Sequence, residues 1–286
     1  VVDYLRETLQ SVATQDFAGL EIIVVNDGSD EAASSAMEAL CTGHVNVRLF
    51  HRPHAGQAAA RCFGLGQAQG EYILFLDADD MLLPGAVTHL VEALSDRPSA
   101  IAVYGAKIHI DARGNFVDHH VFPTEQQVVS GNVLTALLEG RPLLSMGSVC
   151  IRRWALERIS FPDHLAQGED WVIWCRLALL GDIQYAGKRP VLAIRMHERN
   201  ISHAALYMPR AFYKMLDTVF NDNVFAECLG AERLHYYRRK HTYRIHAYQC
   251  NRYWKRGQYM QALRHMWRVY AMPISFLKPL RDTRKI

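Results

Sequence analysis

Residues 71–85, which read EYILFLDADDMLLPG, place three carboxylates directly after an apolar run. The run Tyr72 to Leu76 contains aromatic and β-branched residues, a pattern typical of a strand that is buried on both faces. Asp77, Asp79 and Asp80 follow at once, and like charges held this close repel one another. The segment therefore predicts a strand whose carboxyl end carries acids that a positive charge or water must offset.

The neighbouring segments predict an alternation of strands and helices. The expected strands lie at 20–25 and 45–50, and the expected helices lie at 3–14, 30–40, 56–69 and 84–94. Proline at position 84 suits the first turn of the last of these helices. Because strands separated by helices form crossover units, we predict an α/β fold whose sheet is mostly parallel and flanked by helices.

The pattern of predicted secondary structure changes twice in the rest of the chain. We expect two strands around the turn DARGN, a strand over 142–151, a helix over 169–180, and two short strands in IQYA and VLAIRMH. Beyond Ser202 the pattern is helical, with a break at KRGQ. We therefore divide the chain into an α/β domain at 1–203 and a basic helical C-terminal region at 204–286.

Charge is distributed unevenly between these two parts. The whole chain carries +3, but residues 231–286 contain 14 lysines and arginines and two acids, a net charge of +12. Three interpretations of this basic region stay open: a helical hairpin that packs on the first domain and exposes a solvated basic face, a contact with anionic lipid, or a nucleic-acid contact. No sequence motif of a nucleic-acid reader is present, so we do not expect the third.

Composition restricts the location of the protein. No apolar stretch reaches the roughly 18 residues that a membrane span needs. The six cysteines form no C-x-x-C pair, which predicts reduced thiols rather than a zinc site or a disulfide framework. We expect a cytoplasmic protein that is either free or peripheral on the inner face of the membrane.

Acids follow two of the predicted strands. Asp27 comes after IIVV, and Asp77 and Asp79 come after YILFL. Ligands of open α/β sheets bind at the carboxyl ends of strands. Carboxylate oxygens suit Mg²⁺ or Mn²⁺, which commonly share their coordination sphere with substrate phosphates. The alternative is that these acids are solvated turn residues, since aspartate favours turns.

Four segments together resemble the motifs of the inverting family-2 glycosyltransferases of the GT-A fold. In order, they are EIIVVNDGSD, AGQAAARCFGLGQAQGEYILFLDADD, GEDWVIWCRLALLG and IRMHERNIS. The resemblance covers about residues 1–203. It implies a Rossmann-like GT-A domain that transfers a sugar, with inversion, from a nucleotide-diphosphate donor, UDP-linked in our interpretation, to a hydroxyl acceptor in surface polysaccharide or glycolipid synthesis.

The resemblance also implies roles for residues around the donor. Asp27 is similar to the aspartate that reads the nucleotide base, and Arg61 matches an arginine near the nucleotide, although Cys62 replaces the usual asparagine. Asp77 and Asp79 match the D-x-D pair, which implies a nucleotide contact for Asp77 and Mn²⁺ or Mg²⁺ ligands in both. Two further residues are implied in lesser roles, His197 as a ligand of the metal or a contact of the diphosphate, and Asp80 as a support.

Asp170 in the segment GED is similar to the catalytic base of the family. It falls at the start of the predicted helix 169–180, where the helix dipole favours a negative charge, so we expect it to be ionised at neutral pH. Glu169 is adjacent and should lie on another face of the helix, in a supporting role.

The family normally begins with a strand similar to V-S-V-I-I-P-x-Y-N, and this sequence begins with what looks like the helix that follows it. Either the sequence is a fragment or the protein lacks that strand, and we expect an exposed sheet edge, low stability and weak nucleotide binding. Two other functions remain open: a nucleotidyltransferase-like enzyme that uses the same cation site, and a non-catalytic scaffold that the basic region brings to membranes.

Overall fold

The computed structural model describes residues 2–44, 46–117, 121–141, 144–197 and 209–270. The strands are β1 Ile22–Asp27, β2 Val47–Arg52, β3 Tyr72–Leu74, β4 Met81–Leu82, β5 Ala100–Ile110, β6 Val149–Arg152 and β7 Asp182–Arg195. The helices are α1 Val2–Ala13, α2 Glu31–Thr42, α3 Gln57–Gln67, α4 Ala86–Ser95, α5 Leu134–Leu138, α6 Arg153–Glu157, α7 Glu169–Leu180, α8 Pro209–Phe220, α9 Asn223–Leu229, α10 Ala231–Lys255 and α11 Tyr259–Tyr270.

The strands form two sheets. β1 and β2 pair in parallel, and five strands form a second sheet in the order β3-β6-β5-β7-β4. In the second sheet β5 and β7 are parallel, whereas β6 is antiparallel to β3 and β5, and β4 is antiparallel to β7. The α/β class is as expected, but the sheet is mixed rather than mostly parallel. In this sheet only β5 and β7, between which α5, α6 and α7 lie along the chain, have the parallel arrangement of a helical crossover.

The strand before the three aspartates is shorter and less buried than its sequence suggests. β3 has three residues, of which only Ile73 is buried, because this strand lies at the edge of its sheet. The prediction that it is buried on both faces is therefore wrong. The most buried strand is β5, in which every residue except His109 is buried. In the described residues β1 and β3 each pair with one other strand.

Two other predicted elements differ from the structure. The segments IQYA and VLAIRMH belong to one long strand, β7, that includes the residues between them. The strand expected over 142–151 is instead a 3₁₀ turn at Met146–Ser148 followed by β6. In contrast, α7 has the predicted bounds, and the break expected at KRGQ separates α10 from α11.

The C-terminal helices share a hydrophobic core with the five-stranded sheet. Val149 and Ile151 of β6 and Val172 of α7 belong to the same cluster of buried side chains as Phe225 of α9 and Ile245 of α10. The boundary predicted at 203 lies outside the described residues, and the core contains side chains from both sides of it. Among the described helices, none is both long and apolar enough to cross a bilayer.

Candidate active site

Arg61 of α3 connects two parts of the chain that the sequence analysis assigned to the site. Its Nη1 donates to Glu169 Oε1 at 2.8 Å, and its Nη2 donates to Asp77 Oδ1 at 2.7 Å. The Arg61 side chain is 12% exposed and that of Glu169 is 7% exposed. Burial lowers the pKa of Arg61, but Asp77 and Glu169 together raise it above its usual value. This buried double ion pair joins the acidic turn after β3 to the first residue of α7.

A glycine makes the approach of α7 possible. Gly168 caps the helix with φ of +76°, a conformation that other residues rarely adopt. A Cβ atom at this position would also collide with the side chain of Met215 on α8. The first residue of the segment GED thus sets the backbone direction that presents Glu169 and Asp170.

Asp170 is half-buried beside this ion pair. Its Oδ1 accepts a hydrogen bond from the backbone N–H of Trp171 at 2.7 Å. Burial and the neighbouring Glu169 raise the pKa of Asp170, while the Trp171 N–H and Arg61 lower it and Asp77 raises it further. The net shift is upward, opposite to the effect that the helix N-terminus alone predicts. A carboxyl group with a raised pKa is a better proton acceptor than an ordinary aspartate.

Glu169 occupies a more central position than its predicted supporting role suggests. It does lie on a different side of α7 from Asp170, as expected for adjacent residues. However, it is the buried member of the pair and holds Arg61 directly.

Asp79 and His197 lie together, as the resemblance implied. Asp79 Oδ2 and His197 Nε2 are 3.0 Å apart, and the histidine ring stacks on Tyr4 of α1 with ring centroids separated by 5.2 Å. His197 is mostly buried, whereas Asp79 is partly exposed. The remaining part of the last family-like segment, including Asn200 and Ser202, lies outside the described residues.

Arg195 contacts the acidic turn, residues 77–80, from the buried side. The sequence analysis gave this residue no role. Its guanidinium is fully buried, donates from Nε to the backbone oxygen of Asp79 at 3.0 Å, and pairs with Glu7 at 2.5 Å. Its backbone N–H donates to Asp80 Oδ1 at 3.0 Å. The guanidinium carbon lies 4.6 Å from the ring centroid of Tyr4. A positive charge at the end of the apolar run VLAI was the signal in the sequence that could have identified it.

Asp80 is the most enclosed of the three aspartates. Burial raises its pKa to about 8; the Arg195 N–H opposes this shift, and the charges of Asp77 and Asp79 add to it. The hydroxyl of Thr8 donates to the backbone oxygen of Asp80 at 2.8 Å, so α1 also fixes this turn. These contacts place Asp80 underneath the turn, the position expected of a supporting residue.

Lys107 is a further charged residue near the site that the sequence analysis missed. It is buried in β5 and donates from Nζ to Ser145 Oγ at 2.6 Å. Burial lowers the pKa of Lys107 to about 8, while the charges of Asp170 and Asp80 raise it. A lone lysine within the apolar strand AIAVYGAKIHI was the available signal.

Asp27 stands apart from these contacts. It ends β1, and its carboxylate accepts hydrogen bonds from the backbone N–H groups of Ala55, at 3.1 Å, and Gly56, at 2.7 Å. The Arg52 and His54 side chains lie within ion-pair distance of the same carboxylate. Asp27 therefore orders the loop between β2 and α3, and its contacts in the described residues are with that loop rather than with Arg61 or Asp77.

The donor groups present fit a divalent cation that takes most of its ligands from a substrate. Asp79 and His197 supply a partly exposed carboxylate and an imidazole at one point, and Asp77 has one carboxylate oxygen engaged by Arg61. Among the described residues, no group of three or more His, Cys, Asp or Glu side chains is arranged to hold a metal ion. A cation here would need oxygen ligands from elsewhere, such as phosphates.

Comparison with known proteins identifies the family. The model of glycosyl transferase family 2 matches residues 2–154, which is more than half of the chain, and the chain belongs to this family. The glycosyltransferase GlyA of Streptococcus pneumoniae is 26% identical over 209 residues, which cover 71% of this chain and 30% of GlyA. The chain spans 24% of the length of YibD of Escherichia coli and 58% of that of EpsH of Bacillus subtilis, two other curated relatives that it matches.

Solved structures of glycosyltransferases share the fold. S. aureus TarS 1–349 in complex with UDP-GlcNAc aligns with a TM-score of 0.62 and 17% identity, over 91% of this chain and 86% of that one. The mannosyltransferase PcManGT from Pyrobaculum calidifontis, in complex with GDP-Man and Mn²⁺, aligns with a TM-score of 0.57 and 18% identity, over 97% of this chain and 74% of that one. The GT-A architecture expected from the sequence is thus confirmed.

Removing the Arg61 charge should destabilise the fold. In Arg61→Met the buried Glu169 carboxylate loses its partner, and we expect a loss of about 3 kcal/mol in the free energy of unfolding. Denaturant unfolding measures this loss. Arg48→Met is the matched control, because Arg48 and Glu21 form a more exposed pair at 2.6 Å whose removal should cost about 1 kcal/mol or less. Equal losses in the two variants would contradict the structural importance of the bridge.

The raised pKa of Asp170 predicts a pH-dependent effect on stability. The folded state binds the Asp170 proton more tightly than the unfolded state does. The resulting stabilisation is complete below the ordinary aspartate pKa and is lost as the pH rises through the raised pKa. Asp170→Asn removes that loss, so it should raise the melting temperature by about 2 °C or more near pH 8 and by less near pH 5. The exposed Asp163 supplies the control, Asp163→Asn. A gain for Asp170→Asn that shrinks towards high pH would refute the direction of the shift.

Proposed function

We propose that this protein transfers a sugar from a nucleotide-diphosphate donor to a hydroxyl acceptor with inversion, and that Asp170 is the catalytic base. The observation that carries the proposal is the double ion pair of Arg61. It holds Asp77, from the turn of the D-x-D pair, and Glu169, next to the proposed base, on one guanidinium. The groups proposed for the donor and for the acceptor therefore belong to one site.

The chemistry of the site suits a single displacement. The acceptor oxygen attacks the anomeric carbon, the bond from that carbon to the diphosphate oxygen breaks, and the acceptor proton goes to Asp170. The raised pKa of Asp170 favours this transfer, provided that the group is ionised when the acceptor binds. One displacement on the face opposite the leaving group inverts the configuration.

The proposed donor site combines Asp79, His197 and Asp77 with the nucleotide contacts. A divalent cation, Mn²⁺ or Mg²⁺, would be held by Asp79 and His197 with help from Asp77, and when bound it neutralises charge on the leaving diphosphate. Support comes from the PcManGT complex, which contains GDP-Man and Mn²⁺, and from the TarS complex with UDP-GlcNAc. We propose UDP as the nucleotide.

The two residues proposed to contact the nucleotide, Arg61 and Asp27, have different partners in the structure. Arg61 already binds two carboxylates, one through each terminal nitrogen, so we propose that it acts on the donor by fixing the position of Asp77. The Asp27 carboxylate is already contacted by the backbone N–H groups of Ala55 and Gly56 and by the side chains of Arg52 and His54. A base N–H that binds Asp27 would therefore replace one of these partners, because a carboxylate accepts about four hydrogen bonds.

We further propose a glycan or lipid-linked acceptor, used in the synthesis of surface polysaccharide or glycolipid at the inner face of the membrane. The support is the basic C-terminal region, in which residues 231–270 carry ten lysines and arginines and a single acid, Glu232. Donor hydrolysis assays separate the enzymatic functions from the scaffold, because a non-catalytic scaffold does not cleave the donor.

Nucleotide binding should depend on the cation. Calorimetry should detect tight UDP binding with Mn²⁺ or Mg²⁺ and much weaker binding with EDTA, and Asp79→Ala should abolish the difference, because the carboxylate is the proposed direct ligand. Asp96→Ala, an exposed aspartate at the end of α4, should behave as the parent protein. Equal affinities for UDP with metal and with EDTA in the parent would exclude the proposed metal role.

Asp170→Asn should separate catalysis from binding. The substitution keeps the shape of the side chain but removes the proton acceptor, so the rate of transfer should fall by roughly 10²- to 10⁴-fold while metal-dependent UDP binding persists. Glu169→Gln should reduce the rate less, since it alters the partner of Arg61 and leaves the base in place. Transfer at the parent rate in Asp170→Asn would mean that another group accepts the proton.

A further inference from the structure

We propose that the outer face of α11 is a membrane-binding surface that inserts apolar side chains among lipids and contacts anionic headgroups. This inference deepens the proposed function, because it assigns the membrane contact to a particular helix face. We call this face the α11 stripe and define it as Tyr259, Met260, Leu263, Met266 and Trp267.

The helix before the stripe directs its own apolar face inward. In α10, Leu234, Tyr237 and Ile245 are buried in the core shared with the sheet. His241 Nε2 lies 2.8 Å from the backbone oxygen of Leu138 on α5, which anchors the same face. α10 is therefore a docked helix, and its burial leaves α11 as the outer member of the hairpin.

α11 packs on α10 along a narrow line. Ala262 is fully buried there, and His265 stacks on Tyr253 with ring centroids 5.5 Å apart. His265 Nδ1 also lies 3.0 Å from His246 Nδ1 of α10. Because these positions are three residues apart, they occupy one side of the helix, and the stripe lies next to that side.

The stripe is continuous and exposed. At about 100° per residue its members fall within an arc of roughly 120°. All five are exposed, with Met260 at 68% and Trp267 at 74% of full exposure. Trp254, exposed at the end of α10, packs edge-on against Tyr259 with ring centroids 5.1 Å apart and extends the surface across the turn. A contiguous apolar surface of this kind marks an interaction site more often than scattered apolar residues do.

Positive charge borders the stripe. Arg264 and Arg268 occupy the adjacent arc of α11 and are exposed, and Lys255 and Arg256 are exposed beside Trp254. The apolar residues and the basic residues thus face outward side by side. Tryptophan, methionine and leucine next to arginine and lysine are the side chains that interfacial helices present to anionic membranes.

The charge favours lipid over a second copy of the chain. A second copy would bring the same basic region, with a net charge of +9 over residues 231–270, against the stripe, and like charges at an interface oppose association. An anionic bilayer supplies both an apolar interior and opposite charge. We therefore commit to the lipid surface as the partner.

Vesicle binding by the full chain tests the proposal. Vesicles of phosphatidylcholine mixed with phosphatidylglycerol should bind the protein, with a blue shift of tryptophan fluorescence, and vesicles of phosphatidylcholine alone should bind it far less. Binding should weaken as salt rises, because the Debye length falls from about 10 Å at 0.1 M to about 3 Å at 1 M. Equal binding to both kinds of vesicle, or binding that salt does not change, would overturn the proposal.

Paired variants assign the binding to the stripe. Met260→Ser combined with Trp267→Ser should weaken binding to the anionic vesicles by about tenfold or more. Trp154→Ser is the matched control, because Trp154 is also exposed but lies on α6. Arg264→Gln combined with Arg268→Gln should weaken binding at low salt more than at high salt. Parent-like binding by the Met260/Trp267 variant contradicts the proposal.

Two further measurements on the Met260/Trp267 variant distinguish other occupants. If it binds vesicles as the parent does but has a smaller mass by light scattering, or a lower melting temperature, then a second copy or another part of this chain covers the stripe, and the lipid proposal fails. UDP affinity should be unchanged in this variant. Vesicle binding without UDP binding in the parent would refute the proposed function alone, and UDP binding without vesicle binding would refute this inference alone.

Discussion

The double ion pair of Arg61 is the constraint on which the arrangement of the site depends. Three segments meet at this guanidinium: α3, the acidic turn after β3, and the start of α7. Glu169 is almost fully buried, and a buried carboxylate is tolerated only when a charge-assisted contact compensates for its lost hydration. The position of Asp170 follows from the same contact, because the residue next to a fixed Glu169 on a helix has little freedom to move.

Fixed positive charges, together with the raised pKa of about 8 that keeps Asp80 largely protonated at neutral pH, explain how the chain accommodates three neighbouring aspartates. Arg61 binds Asp77 from one side, while Arg195 holds the backbone of Asp79 and, through its own N–H, the carboxyl group of Asp80. The charge that the sequence seemed to require from a metal is thus supplied in part by the protein.

The sequence predicted local elements well and side-chain partners poorly, for a physical reason. Periodicity and turn residues gave α7 its correct bounds and the break between α10 and α11, because both depend on neighbours in sequence. Strand orientation in the second sheet and the short length of β3 depend on pairing across many residues. The contact between Arg61 and Glu169 spans 108 positions, and no local pattern encodes it. For Lys107 and Arg195, the only signal in the sequence was a single charge in an apolar strand, which does not identify the partners of the side chain.

The proposed base and the proposed membrane surface are connected through one packed core. Trp171, which follows Asp170, donates from its indole to the Leu137 oxygen of α5 at 3.0 Å, and its ring lies 5.5 Å from that of His241 on α10. Burial lowers the pKa of His241 to about 4, so it stays neutral at physiological pH and can remain in this apolar contact. Because α10 carries α11, the helix that presents Asp170 and the helix that presents the stripe are separated by a short series of buried contacts. Close packing transmits strain between neighbouring elements, and these contacts form a continuous route through the core from α7 to α10.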